Sequence, residues 1–232
     1  MGYELDFGVV FSGAYLGFFL EGIRNTLTMF AAAWILGLVL AFLLTLLRAS
    51  GFKPLEMAVA AYVAYHRNVP LLVQLLVWYF GAASVLPRSV NIFMNRHNAE
   101  MLFAILALSL YAAAYMSEDL RSALRAIPKT QMEAGRSMGF NYAQTMRWVI
   151  IPQTWRIALP PMIGQTLLLF KGTSLAAAIG VGELTYQARQ IETQSFRVFE
   201  AFAAVTVIYL IGSFALMFLG AYVAKNYRLR TV

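Results

Sequence analysis

Cysteine is absent from this chain of 232 residues, and histidine occurs only twice, at His66 and His97. No disulfide can staple the fold, and no thiolate site can hold a metal. Two histidines 31 positions apart do not suggest an imidazole-based metal centre either. Charge is scarce, with only 12% of residues ionised. No G-x-x-x-x-G-K-[ST] run is present, so no loop is built to cradle nucleotide phosphates. The first residues carry Glu4 and Asp6 and lack the basic start of a secretory signal. Apolar residues, by contrast, make up 60% of the chain, and mean hydropathy is +0.66. A water-soluble domain of this size cannot hide so much apolar surface, which makes lipid the natural solvent. The net charge of +7 raises nucleic acid as a partner. The basic residues, however, flank apolar runs and are not interleaved with aromatics, so they are read as membrane topology and no nucleic acid is expected.

Apolar runs divide the chain. Residues 9–20 are too short to cross a bilayer and are either an interfacial helix on the outer face or a packed lead-in. Residues 25–47 are uncharged and long enough to cross. Within them Gly37, Ala41 and Thr45 form a small-residue ridge, suited either to a subunit interface or to packing inside the chain. Residues 55–80 form a second crossing, interrupted at His66-Arg67-Asn68-Val69-Pro70. Pro70 frees a carbonyl one turn back, which needs another partner. A helix from Leu55 places Arg67 roughly 18 Å along it, inside the hydrocarbon; a later start near Asn68 leaves it at the headgroups. Residues 81–100 read as an outer loop with Arg88 and Arg96. Crossings follow at 101–125, 152–171 and 201–224, while the apolar patch 175–181 is too short to cross.

Between the third and fourth crossings lies the longest polar interruption. Thr130-x-x-Glu133 and Asn141-x-x-Gln144 both have capping-box spacing, and Pro128 is alternatively a first-turn proline. Gly139 sits between the two, where a sharp turn requires a residue without Cβ. Two short helices folded back on one another are expected, with Arg136, Ser137, Met138 and Phe140 projecting into the cytoplasm. Five crossings put the ends on opposite sides. Eleven Lys and Arg fall on the side of this segment and the C-terminus, including Arg228 and Arg230, against five on the other. The polar segment and C-terminus are therefore expected in the cytoplasm, with the N-terminus outside.

Glu133-Ala134-Gly135, then Gly139, then Val149-Ile150-Ile151-Pro152, resembles the "EAA loop" of ABC importer permeases. This chain departs from that pattern at Gly135 for Ala, Val149 for Ile and Ile151 for Leu. Ala114-Tyr115-x-x-Glu118-x-x-Arg121, Arg67-Asn68-Val69-Pro70-Leu71-Leu72-Val73-Gln74, Phe80-Gly81 and Lys171-Gly172-Thr173-Ser174-Leu175 are similar to the polar amino acid branch of that family. Arg67-Asn68-Val69-Pro70 and Phe80-Gly81 look closest to glutamate/aspartate permeases.

The resemblance implies a single all-α transmembrane permease domain over 1–232, of the type I ABC importer fold, in a bacterial inner membrane. It implies five transmembrane helices and a coupling-helix loop over about 127–149, with Glu133, Ala134, Gly135, Arg136, Gly139 and Phe140 engaging a separate ABC ATPase subunit. No cofactor is bound by this chain, which is not an enzyme; ATP and Mg are used by the partner ATPase. A periplasmic amino-acid-binding protein, a second permease subunit (identical or homologous) and membrane lipid complete the partners.

Substrate-path candidates are Glu118, Thr173, Ser174, Gln74, Lys171 and Arg67. Glu118 with Asp119 can meet an ammonium, or Glu118 can pair with Arg121 one turn on. Thr173 or Ser174 can cap a short helix whose amides face a carboxylate, or cap it without a ligand. Gln74 is a pore donor or an interhelical hydrogen bond. Arg189 and Arg197 either meet an acidic substrate or binding protein, or are solvated. The rival reading is an ion-coupled secondary amino acid transporter, against which the lack of a visible internal repeat counts.

Overall fold

The computed structural model describes residues 4–227, so Arg228 and Arg230 lie outside the described residues. Twelve α-helices succeed one another in the described chain: α1 Phe7–Val10, α2 Gly13–Arg48, α3 Lys53–Asn68, α4 Leu71–Leu76, α5 Ala83–Val85, α6 Arg88–Arg96, α7 Ala99–Ala126, α8 Lys129–Ser137, α9 Tyr142–Thr145, α10 Ile151–Gly172, α11 Leu184–Ser195 and α12 Val198–Tyr227. Wider π turns at Val77–Ala82 and Met146–Ile150 extend α4 and lead into α10, and a 3-10 segment, Thr173–Ile179, continues α10. Four helical stretches are long and apolar enough to cross a membrane: Tyr15–Arg48, Ala99–Ala126, Tyr142–Ile179 and Val198–Asn226. Leu71–Ala82 is a shorter apolar helix.

α2 and α7 form the central pair. Their closest approach is built on small residues: a Cβ on Gly37 would sit 3.0 Å from the Ala112 Cβ and 3.2 Å from the Ser109 carbonyl. Thr45 donates its hydroxyl to Ala41 O at 2.8 Å and to Ser117 O at 3.3 Å. The ridge of Gly37, Ala41 and Thr45 thus packs within the chain. Met29, Ala33 and Ala41 of α2 join Ala104, Leu108, Ala112 and Met116 of α7, with Met162 and Leu169 of α10, in one apolar core. The opposite face of α2, with Ile35, Val39, Phe42 and Leu46, is about half exposed, as is Phe214 of α12. Stripes of this size on two long helices suit acyl chains and not water.

The stretch 9–20 is not a separate interfacial helix. Its second half opens α2, and Val10 and Phe19 are buried with Leu184, Ile191, Ala201 and Val205. Burial against α11 and α12 decides for the packed lead-in. Residues 81–100, expected as a loop, are largely helical. Pro87 stands at the N-cap of α6, and the Asn98 side chain caps α7 by accepting from the Met101 amide at 3.1 Å. α10 starts at Ile151 and runs on past Pro160 and Pro161 without a break.

Candidate functional site

α2 ends on Arg48, and α7 carries Glu118 and Arg121 one turn apart. Arg48 Nη1 lies 2.8 Å from Glu118 Oε2, and Arg121 grips the same carboxylate from three residues on. The pairing of Glu118 with Arg121 is the structural alternative weighed from the sequence; Arg48, from 70 positions away, is the partner that spacing could not reveal. Beside this bridge a cleft of about 400 Å³ opens between α2, α3 and α7, lined by Arg48, Ala64, Arg67, Asn68, Tyr115 and Glu118. α3 begins at Lys53, so Arg67 lies roughly 21 Å along it, which answers the question of where that helix starts. Its guanidinium sits 5.5 Å from the Tyr115 ring centroid, a cation–π distance. Arg67 has no carboxylate ion-pair partner among the described residues. Asp119, the next residue of α7, has a buried Oδ2 without a hydrogen-bond partner among the described residues. The cleft thus presents charges of both signs, and Arg67 is the one that no salt bridge holds.

Gln74 does not reach any cleft. It is fully buried at the break between α3 and α4. Its Nε2 donates to His66 O at 3.1 Å, the carbonyl that Pro70 frees, and to Val69 O at 2.8 Å. His66 Nδ1 lies 2.6 Å from Gln74 Oε1, so Nδ1 carries the proton, because an amide oxygen only accepts. Gln74 thus makes an interhelical hydrogen bond, between α4 and α3 across the proline break, and is not a pore donor.

Thr173 and Ser174 do not cap a new helix. α10 passes into the 3-10 segment without an interruption, and both hydroxyls donate back one turn, Thr173 to Phe170 O at 2.6 Å and Ser174 to Lys171 O at 2.8 Å. With no free helix N-terminus there, the expected carboxylate seat is lacking. Lys171 is exposed and, with Ser174, Thr185, Thr206 and Tyr209, lines a second hollow of about 360 Å³.

The polar segment after α7 is a helical hairpin. α8 starts on Pro128, so Thr130 is not a cap, whereas Asn141 and Gln144 form a reciprocal capping box. Between them Gly139 adopts φ +82°, with Phe140 N donating to Gly135 O at 3.0 Å and Gly139 N to Arg136 O at 2.9 Å. That pair of bonds is a Schellman ending. Glu133, Ala134, Arg136 and Met138 are exposed; Phe140 is half-buried. Gly135 is buried against Thr145: a Cβ on it would meet Thr145 Cγ2 at 2.4 Å. Tyr142 and Trp148 add exposed aromatic surface to the same polar segment.

Two buried carboxylates escaped the sequence reading. Glu200 accepts from the Asp6 amide at 3.0 Å and pairs with Arg197, whose guanidinium also donates to Glu4 O. Arg197 is therefore a structural tie and not a solvated docking charge. Glu183 caps α11 through the Tyr186 amide at 2.8 Å and accepts the Tyr209 hydroxyl of α12 at 2.7 Å. Burial pushes the Glu183 carboxyl above its usual range, and hydrogen bonds from Thr185, Tyr209 and Tyr186 pull it back only in part. The folded chain therefore holds this proton more tightly than the unfolded chain does. The associated stability is complete below the unfolded carboxylate pKa and is lost as pH rises through the elevated folded value. Thermal unfolding midpoints in detergent should decline over that window, and Glu183→Gln should flatten the decline. An unaltered slope in the variant would show that Glu183 does not titrate there. Among the described residues, no group of three His, Asp or Glu is placed to hold a metal ion.

The sequence profile of the family described as "Binding-protein-dependent transport system inner membrane component" matches residues 33–229. The chain is 39% identical over 184 residues to the probable amino-acid ABC transporter permease protein PatM of Vibrio harveyi, covering 78% of this chain and 80% of that one. It is 29% identical over 219 residues to the glutamate/aspartate import permease protein GltJ of Escherichia coli K12, covering 93% and 89%. The fold superposes on the crystal structure of an amino acid ABC transporter with histidines at a TM-score of 0.84 and 27% identity, covering 97% of this chain and all of that one.

Proposed function

The chain belongs to the binding-protein-dependent transport system inner membrane component family, and from that premise we propose that it carries polar amino acids through a path completed by a second permease chain. It is a multi-pass inner-membrane permease of an ABC importer, and ATP is hydrolysed by a separate subunit. The observation that carries the amino acid reading is the end-to-end superposition on an amino acid ABC transporter. The relatives named for amino acid transport support it, and the one named for glutamate and aspartate spans nearly the whole chain.

Five crossings complete the architecture. The fifth is the stretch from Lys53 to Ala82, bent at Pro70 and continued by the short apolar helix Leu71–Ala82. With five, the excess of Lys and Arg beside the hairpin and the C-terminus supports a cytoplasmic C-terminus and an outer N-terminus. The α8–α9 hairpin then acts as the coupling element. Glu133, Ala134, Arg136 and Met138 offer its docking face to the ATPase, Gly139 sets its turn, and Gly135 and Phe140 hold its inner side. A binding protein delivers substrate outside, ATP-driven closure shifts the hairpin, and the path alternates its access. The permease pair is formed by two copies of this chain or by a homologue, set in lipid.

Within the path, the cleft of Arg48, Arg67, Tyr115 and Glu118 is the best-equipped seat. Arg67, outside any salt bridge, favours a substrate with an acidic side chain, while Glu118, held by Arg48 and Arg121, is the cleft's negative charge toward an ammonium. Lys171 and Ser174 line the second polar hollow, toward α12.

ATPase activity of the assembled transporter in proteoliposomes, with binding protein and a panel of amino acids, tests this reading. One substrate class should stimulate hydrolysis, glutamate and aspartate first. Gly139→Val should abolish the stimulation, because a β-branched side chain at φ +82° costs about 1–2 kcal/mol or more and unseats the turn. Uptake that needs neither ATP nor an ATPase chain would return the protein to ion-coupled transport.

A further inference from the structure

The segment between Ala82 and Ala99 takes no part in the path or the coupling hairpin, yet α6 within it is strongly two-sided. Around its axis Val90, Phe93 and Met94 share one arc, and His97, just beyond its end, extends that arc. Arg88, Asn91, Asn95 and Arg96 occupy the other, with Ile92, also exposed, among them. The apolar arc is not covered by the protein: Phe93 is 56% exposed, Val90 38%, and Val85, just before α6, 82%. Neither Arg88 nor Arg96 has an ion-pair partner among the described residues.

Chain length fixes where this helix lies. Only His97 and Asn98 separate Arg96 from Ala99, where α7 begins, and at about 3.5 Å per residue they reach no more than roughly 10 Å. α7 is 28 residues long, about 42 Å, which is the thickness of a bilayer with its headgroups and not of the hydrocarbon alone. Its first residues therefore stand among headgroups, and α6 is tethered beside them. On its other side α6 is joined through Leu86 and Pro87 to the helical stretch that ends at Val85.

We propose that α6 is a membrane-interface anchor lying in the headgroup layer. Val85, Val90 and Phe93 rest on the acyl boundary, and Arg88 and Arg96 bind the phosphates of the surrounding phospholipids. The inference rests on the membrane-spanning reading and goes beyond it. The apolar arc alone would fit many partners. Two arginines outside any ion pair, on the opposite arc and at the depth where phosphates lie, select lipid. The anchor fixes the height of the α7 entrance and of the Tyr79–Glu100 hydrogen bond beside it, which spans 3.0 Å.

The absence of cysteine from this chain simplifies the test, because an introduced thiol is the only one it carries. Single cysteines at Val90, Phe93, Ser89 and Asn95, with controls at Ile35 and Phe218, are spin-labelled in the full transporter in phospholipid nanodiscs. Collision rates with oxygen and with a soluble nickel complex are then compared. Labels at 90 and 93 should favour oxygen severalfold, like the controls, and labels at 89 and 95 should favour nickel. Arg88→Gln with Arg96→Gln should shift the 93 label toward water. Lipid-like controls with a nickel-accessible 93 label would overturn the anchor alone; nickel-accessible controls would overturn the membrane reading itself. A 93 label that is watery until binding protein is added, and then immobilised, would make α6 a protein-docking surface and refute the proposal, as would a 93 label indifferent to loss of both arginines.

Discussion

Gln74→Leu should unfold at a much lower temperature than the wild type, although the two side chains are close in volume. Gln74 is fully buried and answers three groups: it accepts from His66 Nδ1 and donates to the carbonyls of His66 and Val69. Leucine leaves all three without a partner in a space closed to water. Each orphaned buried group costs about 1–3 kcal/mol, so the total is at least about 3 kcal/mol. The break itself is imposed by Pro70, which has no amide to offer His66 O, so no local rearrangement of the helix restores that bond. Gln74→Glu, held neutral by burial, keeps the acceptor and one of the donors, and should fall between leucine and wild type. Unfolding of the purified transporter followed by intrinsic fluorescence reads the difference directly. Equal midpoints for leucine and glutamine would mean that the break is held by its apolar neighbours and that the amide is dispensable.

The second large effect is expected at Gly135. Gly135→Ala should sharply reduce stimulation of the ATPase by loaded binding protein, and Thr145→Ala in the same chain should restore most of it. The added methyl would lie 2.4 Å from Thr145 Cγ2, 2.8 Å from its Oγ1 and 3.1 Å from its Cβ. Thr145 cannot swing aside, because it is fully buried and its hydroxyl donates to Asn141 O at 3.0 Å. Overpacking of this kind costs about 1–3 kcal/mol, here taken up by splaying α8 from α9. Removing the Thr145 side chain beyond Cβ leaves only the tight 3.1 Å approach, so the two substitutions should be strongly non-additive, by about 1 kcal/mol or more. Additive losses in a double-mutant cycle would show that this contact does not set the hairpin angle. The same contact accounts for glycine at a position where the pattern it resembles carries alanine: with Thr145 opposite, this chain has no room for a methyl.

Features set over short distances were the ones legible in the sequence. Pro70 must free the carbonyl at His66, Gly139 must turn a chain between two helix signals, and Asn141 with Gln144 must cap the second of those helices. Each depends on residues within four positions. Long uncharged runs gave the crossing helices for the same reason. The site was less legible because its bonds are long-range: Arg48 to Glu118, Tyr209 to Glu183 and Asp6 to Glu200 join helices that spacing cannot align. Thr173 and Ser174 illustrate the opposite error. Hydroxyls after a charged residue and before an apolar run look like a cap, yet a continuous helix lets them donate backward to carbonyls one turn earlier. α6 was passed over because nine residues are too few for a periodic signal to stand out between Pro87 and Asn98, although Val90, Phe93 and His97 do carry the period.

α2 has a mechanical consequence. At 36 residues it is a strut about 54 Å long, far more than a bilayer's hydrocarbon requires. About a third of the way along, it is pinned to the 182–184 turn, where Asn25 donates to Gly182 O at 2.8 Å and Thr26 accepts the Leu184 amide at 3.2 Å. Its C-terminal end grips Glu118 through Arg48. A rod held at these two points converts rotation into leverage: tilting it by about 5° about the first sweeps the Arg48 end, roughly 33 Å away, through about 3 Å. Movement of the gripped carboxylate is thereby carried, without bending the rod, to the opposite end of the helix, where the segment beyond the pin swings the other way.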